Sequence, residues 1–176
     1  MVDVTGRIFF VLGGAKSGKS RFALEKASLH PGRRAYIATA QAFDDEMAER
    51  IKKHRCERSS EWETFEEPVD VPALIGKIAG SYDTILIDCL TLWLSNLMLR
   101  NEETVEGYVD DLLSVLLERE KASFYLVSNE VGTGIVPTNA LARRFRDCAG
   151  SLNQRAARAA DEVYVVTAGI PLKIKP

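Results

Sequence analysis

The sequence predicts an α/β fold of three layers, αβα, in which helices cover both faces of a mainly parallel central sheet. Short apolar segments rich in β-branched and aromatic residues alternate with longer amphipathic segments, which is typical of β-α-β units. The first apolar segment runs into a glycine-rich turn and then a helical pattern. Right-handed crossovers between parallel strands would place the helices on both faces of the sheet.

Length and composition indicate one globular domain, predicted to span residues 1–176. The formal net charge of -2 gives no overall basic field, which argues against a nucleic-acid-binding protein. The 3 cysteines form no C-x-x-C pair, so we expect neither a zinc site nor disulfides, and a reducing, cytoplasmic compartment. The apolar run near the N-terminus is too short for a membrane span.

The first strand is predicted at residues 7–12, because RIFFVL is apolar and bounded by glycine. A helix follows at 19–29, and the segment His30-Pro31-Gly32 ends it, with His30 expected as a C-terminal cap. The same criteria predict further strands at residues 35–38, 62–65, 84–87, 124–127, 163–166 and 171–174.

The remaining helices follow from apolar residues at helical spacing. Asp44 and Asp45 open one of them, where acidic side chains suit the positive end of the helix dipole. Residues 90–99 are apolar on nearly every face, which predicts a deeply buried helix or an oligomer contact. Residues 71–79 and 139–160 are also predicted as helices. The helix at 104–120 carries one apolar stripe of Val105, Tyr108, Val109, Leu112, Leu113, Leu116 and Leu117.

The segment GGAKSGKS matches the phosphate-loop pattern G-x-x-x-x-G-K-[ST] at every fixed position. Its glycines permit close backbone approach, so that successive N–H groups converge on phosphate oxygens. We expect Lys19 to reach the β- and γ-phosphates and the Ser20 hydroxyl to ligate Mg²⁺. The pattern lies between a predicted strand and a predicted helix, which indicates a P-loop NTPase fold. The predicted phosphate contacts are Gly13, Gly14, Ala15, Lys16, Ser17, Gly18, Lys19 and Ser20.

Asp88 directly follows the strand predicted at 84–87. Ligands of parallel sheets bind beyond the carboxyl ends of the strands, so we expect this carboxylate to hold Mg²⁺ together with Ser20. The alternative is that Asp88 caps the next helix. Regulatory GTPases read the base with N-K-x-D, whereas residues 129–132 here read N-E-V-G. A small-molecule kinase or transferase therefore fits better than a switch GTPase.

A histidine among cations is a second candidate site. Arg50, His54 and Arg58 are spaced by four and would share one helix face. Neighbouring positive charges favour the neutral imidazole, which is a nucleophile. The guanidinium groups could hold phosphates for it to attack. A solvated basic helix face with one incidental histidine is the alternative.

Four segments of the chain resemble a known family. The segments GGAKSGKS, YIATAQAFDDEMAERIKKHR, W-x-T-x-E-E-P and SNEVGTGIVPTNALARRFRDCAGSLNQRAARAADEV resemble the bifunctional adenosylcobinamide kinase / adenosylcobinamide-phosphate guanylyltransferase family. The resemblance implies phosphorylation of adenosylcobinamide with ATP or GTP. It also implies transfer of GMP from GTP to that phosphate, which gives adenosylcobinamide-GDP and pyrophosphate.

The resemblance also implies roles for individual residues. His54 matches the histidine that the family guanylylates, and Lys53 stands where some members have a second histidine. It implies a homotrimer, and the apolar residues 90–99 are our own candidate for its contact surface. No nucleic-acid partner and no membrane insertion are expected from the charge and the apolar pattern. Beyond the phosphate loop, the GTP contacts implied are Ala38, Thr39, Ala40, Arg55, Cys56, Glu57, Arg58, Glu66 and Asp88.

Several alternatives stay open from the sequence. The chain could be a kinase of another small alcohol, or a nucleotide-dependent regulatory protein that transfers no group. The segment SNEVGTGIVP is either a structural turn or a corrinoid or nucleotide contact. The arginines at 143, 144 and 146 are either solvated helix surface or part of a site.

Overall fold

The computed structural model describes residues 6–42, 45, 49, 60–118 and 121–176. Within them, seven strands form one sheet in the order β3-β2-β4-β5-β1-β6-β7. The first six strands are parallel, and β7 pairs with β6 in the antiparallel sense. The strands are β1 (Ile8–Gly13), β2 (Arg34–Ala38), β3 (Trp62–Glu66), β4 (Thr84–Asp88), β5 (Ser123–Asn129), β6 (Glu162–Thr167) and β7 (Ile170–Lys175).

Helices cover both faces of this sheet, which confirms the predicted three-layer fold. They are α1 (Lys19–Ala27), α2 (Val71–Ile78), α3 (Leu90–Asn101), α4 (Val105–Leu117) and α5 (Ala140–Ala159). Short 3₁₀ turns follow α2 and α3 at Ala79–Ser81 and Glu102–Thr104.

Strand β1 shows how two cores share one sheet. Ile8 and Phe10 are fully buried on the face covered by α2 to α5. Phe9 and Val11 are buried on the opposite face, together with Ala23 and Ala27 of α1. Successive side chains of a strand point to opposite faces, so a strand covered on both sides is apolar throughout. This is the physical reason that RIFFVL reads as a continuous apolar run.

The predicted boundaries differ from the observed ones by one to three residues, because capping and not periodicity sets helix ends. The first helix ends at Ala27 and not at residue 29. Helix α5 begins one residue later than predicted, since the Asn139 side chain caps it by accepting from the Ala142 N–H at 3.1 Å. The predicted apolar stripe of α4 is correct except for Leu117, which lies in the last turn and is 59% exposed.

Helix α3 is deeply buried, which confirms the first of the two alternatives predicted for residues 90–99. Leu90, Trp93, Leu94 and Leu97 are at most 1% exposed and belong to the chain's own core. Leu99 is 68% exposed. Most of the apolar surface of this segment is therefore already used within the chain.

The prediction for His30 is wrong. Ser28 is the C-terminal cap of α1, and its N–H donates to Leu24 O. The His30 ring instead hydrogen-bonds through Nε2 to the Tyr125 hydroxyl on β5, at 2.8 Å. The predicted helix opened by Asp44 and Asp45 lies outside the described residues except at Asp45 and Glu49. Among the helices described, none is long and apolar enough to cross a bilayer.

Candidate active site

The carboxyl ends of the parallel strands bring the predicted site residues to one edge of the sheet. Gly13 at the end of β1 is in register with Asn129 at the end of β5. Ala38 at the end of β2 is in register with both Asp88 and Glu66. The phosphate loop and Asp88 therefore meet at the edge where parallel sheets bind ligands. Glu66 is exposed and lies two strands, or about 10 Å, from Asp88.

The phosphate loop has the backbone that its glycines predict. Gly18 has φ 93° and is the N-cap of α1. Lys16, with φ 55°, also takes the left-handed conformation. A Cβ on Gly13 would lie 2.5 Å from Ser17 Oγ and 2.6 Å from Val166 O, so only glycine fits there. The loop therefore folds tightly over the end of β1 and leads directly into the N-terminus of α1, where a helix favours an anion.

Two side chains of this loop are poised for an anion. Lys19 is buried, and its Nζ donates to Gly14 O at 3.1 Å. Burial lowers the pKa of Lys19, whereas the nearby negative charge of Asp88 opposes that shift. Ser17 Oγ is buried and has no hydrogen-bond partner among the described residues. An unsatisfied buried hydroxyl costs about 1–3 kcal/mol, which a phosphate oxygen at this position would recover.

Asp88 is oriented by the neighbouring strand. The Tyr36 hydroxyl donates to Asp88 Oδ2 at 2.7 Å. The peptide between Asp88 and Cys89 is cis. Helix α3 has Cys89 as its N-cap and no side-chain capping bond, so the alternative role of Asp88 as a cap is wrong. Burial raises the pKa of the Cys89 thiol to about 12, so this thiol is neutral at pH 7.

The oxygen donors at this edge suit a magnesium–nucleotide complex. Within the described part of the chain, no group of three or more His, Cys, Asp or Glu side chains is arranged to hold a metal ion. Magnesium is commonly held by one or two carboxylates together with substrate phosphates. Asp88 at the end of β4 and Ser20 in the first turn of α1 fit that requirement.

Thr39, expected to contact GTP, is fully buried. Its Oγ1 donates to Cys89 O and accepts from Cys89 N, both at 2.8 Å. Its backbone N–H donates to Asp88 O at 3.1 Å, and its carbonyl accepts from Asn96 Nδ2 at 2.8 Å. Thr39 thus ties β2 to the junction of β4 and α3. Its contact with GTP, like those of Ala38 and Ala40, stays a prediction.

The other predicted contacts, including His54 and residues 55–58, lie outside the described residues. Two hydrogen bonds that support the site were not predicted from the sequence. Tyr36 orients Asp88 from the next strand. Gly169, in the turn between β6 and β7 with φ 80°, donates its N–H to Ser17 O at 2.8 Å. Neither support has a local spacing signal, because each acts over a long separation along the chain.

The phosphate loop after β1, with a carboxylate at the end of β4, defines a P-loop nucleotide-binding protein. Solved structures with the same fold include the RadB recombinase, with a TM-score of 0.55 and 17% identity over 92% of this chain and 74% of that one. A type III secretion ATPase aligns with a TM-score of 0.60 and 10% identity over 93% of this chain and 51% of that one. At these identities the likeness shows the fold alone.

Residues 9–174 match the family model described as cobinamide kinase / cobinamide phosphate guanyltransferase, and the chain belongs to this family. A relative from Pseudomonas aeruginosa is 43% identical over 94% of this chain and 95% of its own length. A relative from Salmonella typhimurium is 42% identical over 96% of this chain and 99% of its own. Both carry the name bifunctional adenosylcobalamin biosynthesis protein, CobP and CobU respectively.

Proposed function

We propose that this chain phosphorylates adenosylcobinamide with ATP or GTP and then transfers GMP from GTP to the new phosphate. The observation that carries the proposal is the family match over residues 9–174, which includes the whole phosphate loop. The geometry supports its nucleotide half, since Lys19 and Asp88 meet at the carboxyl edge of the sheet.

In the kinase step, the hydroxyl oxygen of the substrate attacks the γ-phosphorus and the bond to the nucleoside diphosphate breaks. The chain contributes positioning and charge: the loop N–H groups and Lys19 bind the β- and γ-phosphates. Ser20 and Asp88 would hold Mg²⁺, which would neutralise charge on the phosphates. The Tyr36 hydroxyl donates to Asp88 Oδ2 and so limits the orientations of this carboxylate.

In the transfer step, His54 attacks the α-phosphorus of GTP and pyrophosphate leaves. The phosphate of adenosylcobinamide phosphate then attacks the same phosphorus, which releases His54 and forms adenosylcobinamide-GDP. Covalent catalysis of this kind splits one difficult displacement into two easier ones. The helical spacing of His54 with Arg50 and Arg58, together with the resemblance, supports this role. Arg55 and Arg58 would bind the phosphates during both displacements.

The assembly and compartment are part of the same proposal: a homotrimer in the cytoplasm. Since most of α3 packs inside the chain, a contact through residues 90–99 would be confined to the side that carries Leu99. Light scattering coupled to size-exclusion chromatography tests the trimer. A monomer at micromolar concentration would contradict it.

The experiment that tests the transferase is incubation with α-³²P-GTP and Mg²⁺, followed by denaturing electrophoresis. We expect an acid-labile, alkali-stable label on the parent and none on His54→Ala. The chain has 2 histidines, and His30 lies far from the phosphate loop, bonded to Tyr125. His30→Gln is therefore the matched control and should label like the parent. A folded, GTP-binding parent without label would favour a plain kinase.

A further inference from the structure

Asn129 is the last residue of β5, the strand that separates the phosphate loop from Asp88. It is in register with Gly13 at the end of β1, whereas Val127, two residues earlier, is in register with Asp88. The next residue, Glu130, donates its N–H to Gly13 O at 3.0 Å. Neighbouring strands lie about 5 Å apart, and each residue advances a strand by about 3.3 Å. The backbone of Asn129 therefore lies beside the start of the phosphate loop and slightly beyond Asp88.

The alternation of side chains along β5 places Asn129 on the same face of the sheet as Asp88. Tyr125 and Val127, four and two residues before Asn129, are buried on the face that α1 covers. Leu86, two residues before Asp88, is buried on that face too. Because residues two apart along a strand share one face, Asn129 and Asp88 both belong to the face of α1. The N-terminus of α1 is where the phosphate loop would hold the phosphates.

Buried polar side chains on the opposite face fix the backbone of Asn129. Its N–H donates to Thr91 Oγ1 at 2.7 Å, and its carbonyl accepts from Asn153 Nδ2 at 3.1 Å. Ser128 Oγ lies 3.0 Å from Thr91 Oγ1 and donates to Asn153 Oδ1 at 2.7 Å. These three side chains are at most 7% exposed. Such a satisfied buried network holds the end of β5 at one position relative to α3 and α5.

The side-chain amide of Asn129 is the part of this residue that the fold leaves unused. Within the described ranges of the chain it makes no hydrogen bond, and the residue is only half-buried. A carboxamide offers two N–H donors and carries no charge. It can therefore bind a phosphate oxygen without repelling the nucleotide, as a carboxylate at the same position would.

We propose that the Asn129 side-chain amide donates a hydrogen bond to the γ-phosphate of the bound nucleotide in the kinase step. Lys19 supplies positive charge at this edge, whereas Asn129 adds a neutral donor that fixes the γ-phosphoryl group in front of the attacking hydroxyl. The contact is made to an oxygen that stays on the transferred group, so it forms no covalent bond and moves no proton. Because it concerns the kinase step, this inference rests on the function proposed above.

Asn129→Ala tests the contact, since it removes the amide but keeps the backbone groups that Thr91 and Asn153 bind. We expect kcat of the kinase reaction to fall about ten- to hundredfold, as when one hydrogen bond to a charged group is lost. In calorimetric titrations with Mg²⁺, the Kd of a non-hydrolysable GTP analogue with a β,γ-imido bridge should rise at least about fivefold. The Kd of GDP, which has no γ-phosphate, should stay within about twofold.

Asn129→Asp is a second variant of nearly the same shape, with a negative charge in place of the N–H donors. It should lower kcat at least as much as Asn129→Ala. The matched control is Asn101→Ala, which removes an exposed side-chain amide from the far end of α3. It should leave kcat and both dissociation constants unchanged.

Parental kcat in either Asn129 variant would overturn the inference while the proposed function stands. Equal losses of affinity for GDP and for the triphosphate analogue would also overturn it, because they would indicate a disturbed phosphate loop and not a lost γ-phosphate contact. A parent chain that binds no GTP analogue contradicts the proposed function itself.

Discussion

The Tyr36 hydroxyl donates a 2.7 Å hydrogen bond to Asp88 Oδ2 across two adjacent parallel strands. Tyr36 is 4% exposed, so the phenol holds a fixed position under the sheet edge. One oxygen of the carboxylate is thereby engaged, and the carboxylate is held in one orientation. In the proposed function this carboxylate would be a preorganised ligand for Mg²⁺, whose affinity depends on such outer partners.

Tyr36→Phe should therefore weaken Mg²⁺ binding, raising the Mg²⁺ concentration for half-maximal kinase activity by about tenfold. Saturating Mg²⁺ should restore most of the rate. Tyr125→Phe is the control, because Tyr125 is a buried tyrosine of β5 whose hydroxyl bonds to His30 instead. An unchanged Mg²⁺ titration in Tyr36→Phe would contradict the role of Tyr36 in orienting a metal ligand.

Lys19→Met should separate activity from stability. Removing the ammonium group takes away the charge that stabilises the transferred phosphoryl group, so kcat should fall about 100-fold or more. Because burial disfavours the charged form of Lys19, as its lowered pKa shows, the nucleotide-free variant should be at least as stable as the parent. Steady-state kinetics and thermal unfolding measure the two effects. The control is Lys77→Ala, which removes an exposed cation from α2 and should change neither kcat nor thermal stability. Turnover close to that of the parent in Lys19→Met would contradict the role of Lys19 in phosphoryl transfer.

Gly13→Ala and Gly14→Ala form a matched pair in one loop. A Cβ on Gly13 would meet Ser17 Oγ and Val166 O, whereas a Cβ on Gly14 meets nothing within 4 Å. We expect Gly13→Ala to lose about 1–3 kcal/mol of unfolding free energy through overpacking. Gly14→Ala should stay within about 0.5 kcal/mol, as exposed substitutions do. Urea unfolding compares them, and equal losses would mean that the close approach at Gly13 is not what demands glycine.

His30 should make stability pH-dependent in the mildly acidic range. Burial lowers the pKa of His30, and the positive charges of Lys26, Arg7 and Arg34 lower it further. The folded state thus prefers the neutral ring, so the contribution is complete above the unfolded pKa of about 6.5 and is lost as the pH falls through the lower folded pKa. Between about pH 7.5 and about pH 5, the urea midpoint of the parent should fall more than that of His30→Gln. Parallel curves would contradict the lowered pKa.

Much of the architecture was readable from local patterns. The strand-to-helix turn at residues 13–20 predicted the phosphate loop, and the apolar runs predicted the strands of the sheet. These signals are local because a strand covered on both faces must be apolar along its length. The ends of the helices were not predicted to the residue, because the caps at Ser28 and Asn139 depend on individual hydrogen bonds.

The fold class, the phosphate loop and the carboxylate at the end of β4 could be predicted from the sequence, because the pattern that indicates each strand, helix or turn is local. Three contacts are visible only in the folded chain: Tyr36 with Asp88, Thr39 with the backbone of Cys89, and His30 with Tyr125. Those pairs lie between 50 and 95 residues apart. They meet through the order and register of neighbouring parallel strands, which no local period in the sequence encodes.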